Sequence, residues 1–455
     1  MWTCGGSFRT GDKCESELSH LPLLTQKMRQ KEENMNDIKL ICGKLYDGIH
    51  DELREHQEIL IRDKRILEVG KHTAQPAGCR VIDLSGLTVT PGMIDAHVHA
   101  SFFDWREIPK DTVWYSDGMR ALAAAECARR ALSGGFTTIR HVGWFREDYS
   151  LDVRRAIDRG FIQGARMVVA PHFLCAPGSH GDPSQNVASN PALSGFLETQ
   201  YPTMGSGPEF FRDAVRHEVK LGADFIKIMA TGGFFTPNDS PEDKQLSDDE
   251  MAAIIDTAHS LHRTVTAHAY TGELITTLAE LGIDGIEHAS LADKKTIRLL
   301  EEKDIYVVPT LCPYDEIVLL DEEKLAEKSP EFQRKLRYYR EQLVESRRLL
   351  IDSDLRLGYG TDLVVNYQNY ECGREYSAWL RNGISPYRAL KAATAENARI
   401  LGLENEIGTI EPGKLADVAA WRRDILKDDK ALLDCAFVMK EGVEYTPVSM
   451  LEAYR

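Results

Sequence analysis

A (β/α)8 barrel carrying a small β-sandwich domain is the architecture this sequence predicts, and three observations predict it. Eight short apolar runs alternate with helical stretches between residues 91 and 404. Alternating, β-rich texture is confined to the two ends of the chain. At 455 residues the chain is too long for one small core and suits a large barrel with something smaller attached.

Taken in order, residues 1–36 are polar, lack the apolar centre of a secretory signal and are expected to form a loosely ordered extension, with Met35 as an alternative start. From 37 to 90, "IKLICGKLYDG", "EILIRDKRILEVG" and "RVIDLSGLTVT" alternate apolar and polar residues, as a half-buried antiparallel sheet requires. The same texture returns in 405–455, in "IGTIEPGKLADVAAW" and "CAFVMKEGVEY". The two terminal segments are therefore expected to fold together as one composite domain.

Between them the apolar runs are "MIDAHVHA", "TTIRHVG", "RMVVAPHF", "DFIKIMA", "TVTAHAY", "GIEHAS", "YVVPTL" and "RLGYGTD". Parallel barrel strands are buried on both faces and read as such continuous runs. Helix-like stretches such as "MRALAAAECARRALSGG", "DDEMAAIIDTAHSLH" and "GELITTLAELG" separate most of them. Two long connections interrupt the rhythm, one rich in Gly, Pro, Ser and Asn (176–208) and one charged and helical (314–349). Both follow strand ends, where barrel loops shape a site.

Composition narrows the function. With 43% hydrophobic and 28% charged residues the chain is of ordinary globular type, and no apolar run approaches the roughly 20 residues of a membrane helix. A net charge of -16 argues against nucleic-acid or anionic-membrane binding, which draws on clustered Lys and Arg. A small-molecule substrate is expected instead. The nine cysteines are scattered without a CxxC pair, so neither a disulfide framework nor a zinc knuckle is indicated, and the cytoplasm is the expected compartment.

Polar residues stand at the C-terminal ends of the runs, where barrel chemistry sits. They are His97 and His99 in run one, Lys227 in run four, His268 in run five, His288 in run six and Asp362 in run eight. Singly each has an ordinary explanation: a strand histidine is commonly a hydrogen-bonded core residue, and "GTD" can cap a helix. Jointly they do not. Side chains alternate along a strand, so His97 and His99 share a face, with Asp95 one step back. In "ADFIKIMATGG" Lys227 places a cation inside an apolar strand, where an ammonium is costly and its pKa is driven down. Either it pairs with a nearby acid or its neutral amine has captured CO2 as a carbamate, whose two oxygens can bridge two metals.

These residues resemble the binuclear subtype of the amidohydrolase superfamily: HxH after strand one, a carboxylated Lys on strand four, His on strands five and six, and Asp on strand eight. "PGMIDAHVHA", "TAENARILGL" and "IGTIEPGKLADVAAW" carry the likeness along nearly the whole chain from residue 37. It implies two divalent ions, zinc being the expected metal, one held by His97, His99, Lys227 and Asp362 and the other by Lys227, His268 and His288. The chemistry implied is attack of a metal-bridging hydroxide on an amide, with Asp362 passing a proton to the leaving amine. "GADFIKIMATGG", "TAHAY" and "GIEHAS" are most similar to the imidazolonepropionase-related branch that contains Xaa-Pro dipeptidases and ochratoxin-degrading amidases. A dipeptide or N-acyl amino acid is the implied substrate, and self-association through barrel helices is expected.

Three further groups are candidates for substrate contact. Tyr270, two residues after His268, shares its face and either binds an oxyanion or carboxylate or simply fills the barrel mouth. His141 ends run two, and His180 lies on the long loop after run three. Arg140 and His172 read as structural. Two alternatives stay open: hydrolytic deamination or dechlorination of a ring substrate on the same fold, and a barrel scaffold that has lost its chemistry.

Overall fold

Alternation between residues 37 and 91 becomes four strands: β1 (Asp37–Leu45), β2 (Arg54–Arg62), β3 (Arg65–Gly70) and β4 (Arg80–Pro91). The computed structural model describes residues 37–101, 115–144, 146, 148–234, 236, 238–362 and 371–451, so the extension expected over 1–36 lies outside the described residues. Eight short strands follow in the central part: β5 (Met93–Val98), β6 (Phe136–His141), β7 (Arg166–Val169), β8 (Phe173–Leu174), β9 (Ile226–Met229), β10 (Val265–Thr271), β11 (Gly285–Leu291) and β12 (Tyr306–Val308). Three more close the chain: β13 (Val418–Trp421), β14 (Cys435–Lys440) and β15 (Val443–Tyr445).

The terminal strands share one seven-stranded sheet in the order β15-β14-β13-β4-β1-β2-β3. Ile38, Leu40 and Cys42 of β1 sit two residues apart and so point to one side, as do Val418 and Ala420 of β13. They meet Ile59, Ile61, Phe437 and Met439 in a single apolar cluster, so the two halves of the sheet close over one another as a sandwich.

The central strands are all parallel, in the groups β5-β6-β7 and β8-β9-β10-β11-β12. Run three is divided into β7 and β8 at Pro171, which has no N–H to give a ladder. Run eight carries one bridge, Val307 to Leu357, rather than a full strand. Its backbone nevertheless joins both neighbours. Val307 donates to Arg356 O (3.0 Å) and Gly358 to Val307 O (2.8 Å), while Ala96 donates to Tyr359 O (2.8 Å) and Asp362 to His97 O (2.9 Å). Gly360 permits this closeness, since a Cβ there would lie 2.5 Å from Val308 Cγ1 and 2.7 Å from His97 Cβ. Asp95 adds a side-chain clasp, accepting from Thr361 N (3.1 Å) and Thr361 Oγ1 (2.7 Å).

Helices cover the barrel as its periodicity requires. Ser116 caps the helix Asp117–Ser133 by accepting from Met119 N, and Ser247 forms a capping box with Glu250 at the helix Asp248–Ser260. The charged connection folds into helices Leu311–Val318, Glu322–Ala326 and Pro330–Ile351. Its apolar face, Phe332, Leu336, Tyr339 and Leu343, packs with Phe234, Tyr270 and Tyr314 beside the barrel mouth. Among the described residues no helix is long and apolar enough to cross a membrane.

Candidate metal centre

His97 and His99 end at the barrel mouth with their rings 5.5 Å apart. Each spends its Nδ1 on the protein: His97 donates to Glu287 Oε2 at 2.6 Å, and His99 to the Gly143 carbonyl at 2.6 Å. That leaves both Nε2 atoms turned to one point, 3.5 and 3.6 Å from Asp362 Oδ1. The three donor atoms lie close enough together to hold a metal ion. Asp362 reaches this point with φ +45°, a left-handed conformation that only a tightly held turn sustains in a non-glycine residue.

His268 and His288 stand across the mouth, ring centroids 4.6 Å apart, and His288 lies 5.2 Å from His97. His288 Nδ1 shares a hydrogen bond with Thr310 Oγ1 (2.8 Å) and is 4.0 Å from Asp362 Oδ2. Burial holds His99, His268 and His288 well below the usual histidine range, with neighbouring rings and Lys227 acting in the same direction. The three imidazoles are therefore neutral, the form that ligates. His268 Nε2 is buried and has no hydrogen-bond partner among the described residues. A buried nitrogen without a partner is costly unless something absent from the chain itself satisfies it. Donor set, protonation and orphaned nitrogen together fit divalent ions.

Lys227 is 1% exposed on β9, in register with Phe173 of β8 and Thr266 of β10. Burial pushes its amine down to about 8, against the pull of Glu287 and Asp362. Burial likewise raises the Asp362 carboxyl, while His97 and Lys227 pull it back. Both shifts place proton-exchanging groups nearer neutrality than an exposed Lys or Asp would be.

Among the substrate-contact candidates, Tyr270 stacks on His288 at 5.3 Å and packs edge-on to His268 at 4.7 Å. Burial drives its hydroxyl pKa far upward, so the group stays a proton donor. His180 stacks flat on His268 at 4.6 Å, and its Nδ1 bonds Thr236 Oγ1 with Asp239 Oδ2 at 3.5 Å. Lys335, from the helix Pro330–Ile351, bonds the Gly233 carbonyl (2.8 Å) and Asp239 Oδ1 (3.3 Å), tying the helical connection to the loop behind His180. His141 is placed differently. It is fully buried, and its Nδ1 accepts the Ala100 N–H at 3.1 Å, which commits that nitrogen to the backbone. His172 is bonded through Nδ1 to Glu218 (2.9 Å).

Glu287 was not among the residues expected from sequence. It is fully buried and accepts from Arg140 Nη2, Thr266 Oγ1 and His97 Nδ1, each at 2.6 Å. Although burial alone would raise its carboxyl, Arg140 and His97 hold it well below the usual range. The signal present in the sequence was a second buried charge, Arg140 inside "TTIRHVG", which needs a counter-ion as Lys227 does.

A model of the amidohydrolase family matches residues 88–448. The chain is 28% identical over 412 residues to the ochratoxinase of Aspergillus niger, covering 86% of this chain and 82% of that protein. Among solved structures it is similar to a Xaa-Pro dipeptidase with methionine bound in its active site, with TM-score 0.80 and 27% identity over 90% of this chain and all of the other. A prolidase complexed with N-methylphosphonate-L-proline matches with TM-score 0.80 and 28% identity, covering 91% of this chain and all of that one.

Proposed function

This chain belongs to the amidohydrolase family and is a hydrolase acting on C–N bonds, and from that premise we propose that it cleaves a dipeptide such as Xaa-Pro, or an N-acyl amino acid of the ochratoxin type, to release a free amino acid. The observation that carries this is the convergence of His97, His99 and Asp362 on one point, with His268 and His288 held well below the usual histidine range beside it and the amine of Lys227 pushed down to about 8. One divalent ion would be held by His97, His99, Lys227 and Asp362 and a second by Lys227, His268 and His288, with zinc the expected metal. Bound there, such ions supply Lewis acidity toward a carbonyl and lower the pKa of water.

The chain's own groups divide the remaining work. Lys227, whose amine burial pushes down to about 8, gives up one proton to expose an electron pair for CO2; the new N–C bond with loss of a second proton turns a buried cation into an anion whose oxygens would serve as metal ligands. Asp362 takes the proton of the attacking water and delivers it to the departing nitrogen, which leaves poorly as an anion. Tyr270 offers its hydroxyl to the oxygen that becomes negative, and His180 and His141 are the proposed partners of the substrate carboxylate. The division into a sheet domain (37–90 with 405–455) and a barrel (91–404) belongs to the same proposal. So does a cytoplasmic setting, which nine scattered cysteines without a CxxC pair suit.

A panel of dipeptides and N-acyl amino acids incubated with metal-loaded protein tests the activity. Release of an amino acid from one of these classes is expected; no release from any of them, by protein that holds its ions, overturns the proposal and favours the scaffold. Within that panel Tyr270→Phe is expected to lower kcat by about 10²-fold with little change in KM, as loss of one oxyanion donor does. A Tyr that only fills the barrel mouth would leave kcat within a few-fold of the unaltered protein.

A further inference from the structure

The imidazoles at the mouth are not backed alike. Behind His99 stands the neutral Gly143 carbonyl, behind His288 the Thr310 hydroxyl, and His268, whose Nε2 is left open to a ligand, is held by a hydrogen bond with the Gly232 backbone. Behind His97 stands a carboxylate, Glu287, at 2.6 Å. That carboxylate is itself held fast. Its other oxygen accepts Arg140 Nη2 and Thr266 Oγ1, each at 2.6 Å, and Arg140 is anchored by donating to Ala96 O (2.5 Å) and Tyr306 Oη (2.9 Å). Strands β6, β10, β11 and β12 thus fix one carboxylate against one ligand ring, whereas the partners named for the other three rings are a carbonyl, a hydroxyl and a backbone group.

We propose that Glu287, locked by Arg140 and Thr266, is a positioning residue that makes the His97–His99–Asp362 position the tighter of two metal positions, the first filled and the last emptied. The inference rests on the two-ion arrangement under Proposed function. A carboxylate behind an imidazole fixes its tautomer and ring angle and increases the electron density on the opposite nitrogen, so the Nε2 facing a cation binds it more strongly. A hydroxyl can turn and donate or accept, and gives the ring in front of it less of either effect.

The test follows metal content, by atomic emission, during timed dialysis of the holoprotein against a chelator. Protein without substitution is expected to lose its ions in two phases, one ion per chain outlasting the other. Glu287→Gln is expected to speed the later phase roughly 10–100-fold and to leave the earlier phase unchanged. The doubly substituted Arg140→Met/Glu287→Gln, which leaves no buried charge without its partner, is expected to show the same selective loss and serves if the single variant folds poorly. Coincident phases in the unaltered protein, or a variant that speeds both phases alike as a loosened fold would, overturn the inference. Fewer than two ions per chain in the starting holoprotein overturns the two-ion arrangement itself, and the ranking with it.

Discussion

Replacing Lys227 by alanine is expected to lower kcat/KM on the order of 10³-fold, about 4 kcal/mol, and to leave one metal ion per chain or fewer. The side chain is 1% exposed on β9, between β8 and β10. If Lys227 served only as a counter-charge to Glu287 and Asp362, the change would remove a cation and leave the metal ligands in place. As the proposed carbamate it would supply a ligand to both ions, so truncation would remove two bonds at once and free space lined by the other proposed ligands. A short carboxylic acid, formate or acetate, should then enter that space and restore part of both ion content and rate. Two ions retained at the unaltered rate in Lys227→Ala would show that this lysine is no ligand. Incorporation of isotope-labelled bicarbonate into the unaltered protein, but not into the variant, gives a second readout.

Much of this arrangement was legible in the sequence because each part leaves a local mark. Parallel strands buried on both faces leave apolar runs, and His97, Lys227, His268 and His288 interrupt such runs with groups that burial would penalise without a purpose. What was not legible depends on broken alternation and on distant pairing. Glu287 and His288 are adjacent, and a regular pleat would turn them to opposite faces. Positive φ at His288 (+74°) and Ala289 (+52°), with a register shift against β10 between Ala269 and Thr271, lets both turn toward the metal centre. Run eight looked like a strand, yet its two glycines give it an irregular path, and its closing bonds come from Ala96, His97 and Val307, far away in sequence. The aromatic wall of Phe234, Tyr270, Tyr314 and Tyr339 joins three separate segments and has no periodic mark.

Arg140→Met should destabilise the protein by about 3–5 kcal/mol, the usual cost of removing one partner from a buried ion pair. At about 2 °C per kcal/mol for a large domain, the thermal midpoint should fall on the order of 6–10 °C. The guanidinium lies over Phe225 and Tyr306 at 5.2 and 5.6 Å, so methionine keeps much of its apolar contact while losing the charge. What remains is the Glu287 carboxylate, fully buried, with Thr266 and His97 as its partners. Adding Glu287→Gln removes that charge, and the double variant should recover more than half of the loss. The pH dependence has a definite sign, measured on metal-free protein. With Arg140 present, the Glu287 pKa is depressed on folding, so its contribution is present above the unfolded carboxyl pKa and is lost as pH falls through the folded one. Without Arg140, burial is opposed only by His97 and Lys227 and the folded pKa rises, so the deficit relative to the unaltered protein is largest at neutral pH and shrinks on acidification. A single variant no less stable than the double, or a deficit that grows as pH falls, would mean that Arg140 does not hold the charge of Glu287.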